Sequence, residues 1–389
     1  MTWPTVAIGE IAQQVRGVSY DKSQVSNSAA PGLRPVLRAG NIQEGNLLLN
    51  KDLVYVPDSC IAHQQLLRPG DIVIAASSGS IDVVGKAAQL SEPWEGSFGA
   101  FCKVVRPSSD RVNPRYLHHF FQSTGYRRKV SSLAAGANIN NLKNEHIDEL
   151  LLPLPPLEEQ RRIAAILDKA NDIQGRQQEA SNVIQAVPRS FFLSLFGDPR
   201  VNSRSWHEHS LGELGRIVTG STPPSSEQGM FDGPVPFITP GDLGSGKEPK
   251  RSLTESGSLR SRTVKRGSAL VCCIGATIGK MDIARQDSAF NQQINAVEWG
   301  DSIIGGYGIE ALRFFSRNIA TAGASTTLPI LKKSSFEKLR LPVPPVELQR
   351  EYVLQLKAMH AHSESLHQAL QISTSLKQSL VCRAFTGEL

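Results

Sequence analysis

Two stretches of the chain carry apolar residues at alternating spacings of three and four, the pattern of a helix with a narrow apolar seam. The first runs Ile163, Ile166, Ala170, Ile173, Gln177, Ala180, Ile184, Val187, Phe191, and the second Tyr352, Gln355, Met359, His362, Leu366, Ala369, Ser373, Leu376, Leu380. The second seam is the noisier. Each stretch is entered through a proline pair followed by acidic residues, where they oppose the helix dipole: Pro155-Pro156 before Glu158-Glu159, and Pro344-Pro345 before Glu347. Pro188 is expected to kink or end the first helix, leaving a straight portion of about 30 residues, or about 45 Å.

The two stretches are halves of a wider duplication. LPLPPLEEQR (152–161) and LPVPPVELQR (341–350) agree at seven of ten positions. Upstream, Trp3 with IGEI (8–11) matches Trp206 with LGEL (211–214), and AGNI (39–42) matches PGDL (240–243). RPGDIVIAASSG and KRGSALVCCIG then read as buried strands, each followed by Gly-Lys at Gly85-Lys86 and Gly279-Lys280. The offset between copies falls from 203 at the tryptophans to 189 at the proline motif, so loops have changed length around a retained frame. The expected class is α+β, with globular parts at 1–150 and 201–340 and proline-helix elements at 151–200 and 341–389. Paired seam to seam, the helices are antiparallel and form a coiled coil. The internal repeat then acquires an approximate two-fold axis, and a spacer of about 45 Å slightly exceeds one turn of B-DNA.

Composition and charge narrow the function. The chain has 389 residues, 40% hydrophobic and 20% charged, as in an ordinary globular protein. No secretory leader or membrane-length apolar run is present, which implies a cytoplasmic protein without membrane contact. The net charge of +6 divides as +2 in 1–150 and +4 in 201–340, with none in the two helical segments. Five cysteines without C-x-x-C spacing suggest neither a disulfide framework nor a zinc site.

Enzyme motifs fail one by one. GATIGK (275–280) has three residues between its glycines, where a phosphate loop needs four, and Met281 where Ser or Thr should bind magnesium. His207-Glu208-His209 lacks the spacing of a metal-binding helix, and there is no G-x-S-x-G elbow. Asp242 with Glu248-Pro249-Lys250 reads as a solvated turn rather than a nuclease carboxylate cluster. Neither TPPSS (222–226) nor Pro155-Pro156 resembles a methyltransferase active-site turn. No catalytic or metal residue is expected. Phosphate contacts favour Lys and Arg, and base readout Arg, Lys, Asn and Gln. The candidates are Lys86, Arg127, Arg128, Lys129, Asn138, Asn140 and Lys143 in the first part, and Arg260, Arg262, Lys265, Arg266, Lys280, Lys332 and Lys333 in the second. For any one of them a solvated surface position is the competing reading.

With its repeat, its LPxPPxExQR element and its paired helices, the whole chain resembles the specificity subunit of type I restriction-modification systems. Glu158 to Arg161 and Glu347 to Arg350 match the family's junction, and GATIGK its strand-turn. The resemblance implies two target-recognition domains, each reading one half of a bipartite, asymmetric site in double-stranded DNA. It further implies helices that act as a ruler and dock two modification subunits. Phe191, Phe192 and Phe196, with Leu380 and Phe385, are candidates for that docking, or equally for finishing the helices' own core. The chain itself would need no cofactor: S-adenosylmethionine, ATP and Mg2+ belong to the modification and restriction subunits. A protein-binding coiled-coil scaffold and a methyltransferase with an unrecognised site are the alternatives.

Overall fold

The computed structural model describes residues 3–80, 82–108, 110–135, 141–224, 226–322 and 330–389. They form two compact units, Met1–Glu179 with His367–Leu389, and Ala180–Leu366. Each long helix is therefore shared, half of it packing with one globular part and half with the other.

In the first unit an antiparallel sheet runs Ala12–Arg16, Cys102–Pro107, Ile72–Ala75, Ala87–Gln89. Its central strand, Ile72–Ala75, is buried on both faces, which is why IVIA shows no polar alternation. Ile72 and Ile74 point to a core completed by the helix Pro114–Phe121 and the long helix. Val73 and Ala75 point to a second core with Leu37, Phe98 and Val104. A smaller sheet orders Val54–Pro57, Leu33–Leu37, Ser97–Phe98, the last pair parallel.

The second unit repeats this plan. Gly215–Thr219, Ile294–Trp299, Ala269–Cys272 and Met281–Ile283 form the larger sheet in the same order. Ala269 and Val271 face the helical core and Leu270 and Cys272 the other. The smaller sheet again holds a parallel pair, Phe231–Ile238 with Ser288–Phe290.

The proline motif closes each unit. Thr5–Ala7 pairs with Leu151–Pro153, and Glu208–Ser210 with Arg340–Pro342, so the start of each globular part is sewn to the run-in of its helix. Tyr116 Oη donates to Pro153 O at 2.8 Å, and Tyr307 Oη to Pro342 O at 2.7 Å. The glutamine of the motif is fully buried in both copies. Gln160 Oε1 accepts from the Asn113 amide at 2.7 Å while its Nε2 donates to Pro155 O at 2.8 Å and Arg111 O at 3.3 Å. Gln349 does the same with Ile304 N at 2.8 Å, Pro344 O at 2.7 Å and Ser302 O at 3.3 Å.

The first helix spans Leu157–Phe196 and the second Val346–Thr386. Of the two outcomes expected at Pro188, a kink or an end, the end does not occur, and the first helix runs through it. The proline's cost of about 3 kcal/mol is outweighed by the turns beyond it, where Phe192 and Phe196 are buried among Tyr307, Phe314 and Tyr352. These two phenylalanines therefore complete the core of the second unit and present no docking surface. Phe191 stacks on Tyr352, and Leu380 and Phe385 pack on the first unit's core, Phe385 against Tyr116 and Phe120.

The helices pair antiparallel within each unit, but the seam departs from the expected one in both. Ile163 sinks into the globular core, and Ile166 and Ala170 are half-buried. Ile173 is 44% exposed, and Leu376 57%. Their places are taken by Gln174 and Lys377, because the middle of the seam is hydrogen-bonded rather than apolar. Gln174 Nε2 donates to Thr374 Oγ1 at 2.9 Å, Lys377 Nζ to Gln174 Oε1 at 2.9 Å, and Ser373 Oγ to Gln177 Oε1 at 2.6 Å. In the second unit Tyr352 is fully buried, whereas Ile184, Met359 and Leu366 are half-buried; Ser363 replaces His362, which is exposed.

Beside this junction His119 Nε2 lies 2.8 Å from Asp168 Oδ1, and Arg115 also pairs with Asp168. His118 is buried, and burial, with the nearby His119 and Arg115, pushes its pKa down to about 3. It stays neutral in the fold at pH values where an unfolded histidine, near 6.5, is charged. The stability it supports is therefore complete above about pH 6.5 and lost as pH falls toward 3.

Two outcomes follow from this junction. Gln160→Leu and Gln349→Leu strand a buried amide N–H and two carbonyls each, and urea unfolding should show a loss of about 2–4 kcal/mol. Between pH 7 and 4.5 the wild type should lose on the order of 1–3 kcal/mol that His118→Phe does not lose. Parallel pH profiles for the two proteins would refute the second.

Candidate nucleic-acid interface

The two Gly-Lys pairs occupy one structural position. Gly85 N donates to Ala75 O at 2.8 Å and Ala75 N to Lys86 O at 2.8 Å; Gly279 N donates to Cys272 O at 2.9 Å and Cys272 N to Lys280 O at 2.8 Å. Each turn thus folds back on the last residue of the central strand and leaves its lysine exposed. The turn needs glycine: φ is +79° at Gly85 and +88° at Gly279. A Cβ there would lie 2.6 Å from Val130 Cγ1 or from Ser316 O. A helix side chain holds each glycine carbonyl, Tyr126 Oη at 2.9 Å in the first unit and Ser316 Oγ at 2.9 Å in the second.

A second lysine reaches the same strand end. Leu142 N donates to Ala76 O at 2.7 Å, and Leu331 N to Cys273 O at 2.8 Å. The next residues, Lys143 and Lys332, are exposed N-caps of the short helices Asn144–Asp148 and Lys333–Glu337. Lys86 with Lys143, and Lys280 with Lys332, are therefore repeat-equivalent cations at the same end of each central strand. Lys333 joins the second group, in an ion pair with Glu337 at 3.4 Å.

The remaining candidates separate from these. Arg127 Nη1 donates to Val84 O at 2.8 Å, so it buttresses the turn that carries Lys86. Arg128 and Lys129 are exposed on a groove of about 560 Å3 that includes Leu151, Val381, Cys382 and Phe385. In the second unit Lys265 and Arg266 lie at the opposite end of the central strand from Lys280. There Gly267 N donates to Ala284 O at 2.8 Å. Lys265 hydrogen-bonds Asp287 at 2.8 Å, which raises its pKa, and the Arg266 amide donates to the same carboxylate. Arg260 lies 3.7 Å from Glu227, and Arg262 is exposed before the strand Thr263–Val264. Lys265 and Arg266 are thus separated from Lys280, Lys332 and Lys333. Asn138 and Asn140 lie outside the described residues.

Other residues at the strand end were missed from sequence. The chain crosses there over a tight turn: Ala76 N and Ser77 N donate to Phe101 O in the first unit, as Cys273 N donates to Gln293 O in the second. The matched AGNI and PGDL segments form a neighbouring loop, in which Asn41 Oδ1 accepts from Arg38 N at 2.8 Å and Asp242 Oδ2 from Thr239 N at 2.9 Å. Asn41 and Asp242 are loop braces, and the match between copies was their only signal.

Burial pushes the thiols of Cys102 and Cys273 up to about 12. Among the described residues no group of three or more His, Cys, Asp or Glu is placed to hold a metal, and no helix is long and apolar enough to cross a membrane.

Comparison with known proteins agrees with the duplication. The sequence model described as "Type I restriction modification DNA specificity domain" matches twice, at residues 1–183 and 203–376. The type I restriction enzyme StySPI specificity subunit of Salmonella potsdam is 31% identical over 427 aligned positions, covering 100% of this chain and 89% of that protein. The EcoKI specificity subunit of Escherichia coli K12 is 45% identical over 166 positions, 43% of this chain and 35% of that one. The S subunit of a type I restriction-modification system from M. genitalium, known from a crystal structure, superposes with a TM-score of 0.62 at 14% identity. It covers 99% of this chain and 96% of that one, so its likeness is one of fold.

Because each turn requires a left-handed residue and leaves no room for a methyl group, Gly85→Ala and Gly279→Ala should each destabilise by about 1–3 kcal/mol. Urea unfolding should show it for both; an unchanged midpoint for either would mean that the turn adapts.

Proposed function

The chain belongs to the family of type I restriction modification DNA specificity domains, and from this we propose that it is the subunit that reads DNA sequence for a modification and restriction complex. Each globular part reads one half of a bipartite target, and the two long helices hold the halves at a set spacing and carry the modification subunits. The observation that carries this reading is the duplicated cationic corner, Lys86 with Lys143 and Lys280 with Lys332, built by the same backbone hydrogen bonds in both copies. Lysines at that end suit phosphate contacts that set the register of each part on a duplex. The different loops around them suit the reading of different bases. In this reading the other subunits supply the chemistry: methyl transfer from S-adenosylmethionine, and ATP- and Mg2+-dependent translocation and cleavage. The docking strip for the modification subunits is assigned to the exposed apolar side chains of the first unit's helices, Ile173, Ile372 and Leu376, in place of the buried phenylalanines.

Methylation mapping of a genome with and without this chain tests the proposal, provided that the partner subunits are expressed. One bipartite adenine-methylated motif should vanish when the chain is removed. Exchanging residues 201–340 for those of a relative should alter one half of the motif and leave the other. An unchanged methylome, or a change in both halves together, would refute the two-reader model.

A further inference from the structure

In the first unit the corner beside Lys86 is open. Arg38, Gly40, Asp52, Ser77, Ser78 and Phe101 line a groove of about 490 Å3. Arg38 Nη2 donates to the Asp52 backbone carbonyl at 3.0 Å, which holds the guanidinium beside a second charged residue of the groove. Neither side chain is in an ion pair among the described residues.

This chemistry suits a base edge better than a phosphate. An acidic residue on the wall of the groove disfavours phosphate, whereas an arginine beside an aspartate offers the donor and acceptor types that match the major-groove edge of a G·C pair. Guanine O6 and N7 accept from an arginine fork, and cytosine N4 donates to a carboxylate. Beside them the Phe101 ring is 67% exposed on a backbone that is firmly held. Its carbonyl accepts from Ala76 N at 2.9 Å and Ser77 N at 3.0 Å, and Cys102 N closes the turn onto Gly99 O at 2.8 Å. A rigidly carried ring suits apolar contact with an adjoining pair, such as a thymine methyl.

The second unit has the same frame with other groups. Thr239 stands where the first has Arg38, and Gln293 where it has Phe101. The Gln293 amide is occupied, with Nε2 donating to Ile274 O at 3.4 Å and Oε1 accepting from Asn291 at 3.0 Å. Positions that share backbone hydrogen bonds but differ in side chain are where two readers built alike come to read differently.

We infer that Arg38 and Asp52 read one G·C base pair in the half-site of the first globular part, with Phe101 against the pair beside it. The inference rests on the DNA-reading role proposed above.

The test is binding of the assembled methyltransferase complex to duplexes carrying each single base-pair substitution across both halves of its target. The complexes contain wild-type chain, Arg38→Ala, Arg38→Lys or Phe101→Ala. For the wild type, replacing the G·C pair should weaken binding by roughly tenfold or more. In Arg38→Ala that penalty should fall below about threefold, in one half only, and Phe101→Ala should relax only a neighbouring position. Arg38→Lys, which keeps the charge but loses the fork, should behave like Arg38→Ala. A penalty profile unchanged at every position, weaker binding spread evenly over all duplexes, or a lysine variant equal to wild type would overturn the inference and leave Arg38 a phosphate contact. A wild-type complex that discriminates at no position would instead overturn the DNA-reading role itself.

Discussion

A buried primary amide has to satisfy an oxygen and a nitrogen at once, and at Gln160 and Gln349 that requirement joins each long helix to its globular part. The oxygen takes the amide at the entrance of a domain helix, and the nitrogen takes the carbonyl of the motif's first paired proline and one from the preceding loop. Proline is suited to this place because it has no N–H of its own to satisfy there, and its fixed φ sets the entry direction. The tyrosine hydroxyls on Pro153 and Pro342 hold the same run of chain from the same domain helices. Both copies of the motif make these same bonds, which matches their likeness in sequence where the loops differ.

The helix seam follows a different logic. In the first unit its centre is an interlocking set of Gln, Ser, Thr and Lys hydrogen bonds. Apolar seams tolerate sliding by a turn, whereas a donor without its acceptor in a half-buried seam is costly. The polar centre therefore pins the register of the pair, and the apolar residues toward the globular core supply the burial.

These two logics account for what was legible in the sequence. The repeat, the two buried strands and the helix entrances could be read because identical bonds select identical residues. The seam was misplaced at Ile173, His362 and Leu376 because a scan for apolar periodicity cannot recognise Gln174 or Lys377 as interior. That the helix runs on past Pro188 has the converse reason, a local rule overridden by distant burial of Phe192 and Phe196. Among the candidate residues, Lys86 and Lys280 were singled out by their equivalence, whereas the proposed readers Arg38, Asp52 and Phe101 come from separate loops. Only the fold brings those three together.

The division of the chain into units also bears on its synthesis. Val381 and Ala384, near its far end, are part of the core that begins at Ile8, whereas the second unit is made entirely from residues 180–366. During translation the part begun first is thus completed last. Its core waits for residues 367–389 until the ribosome has finished everything in between, so loss of that segment harms the first unit more than the second.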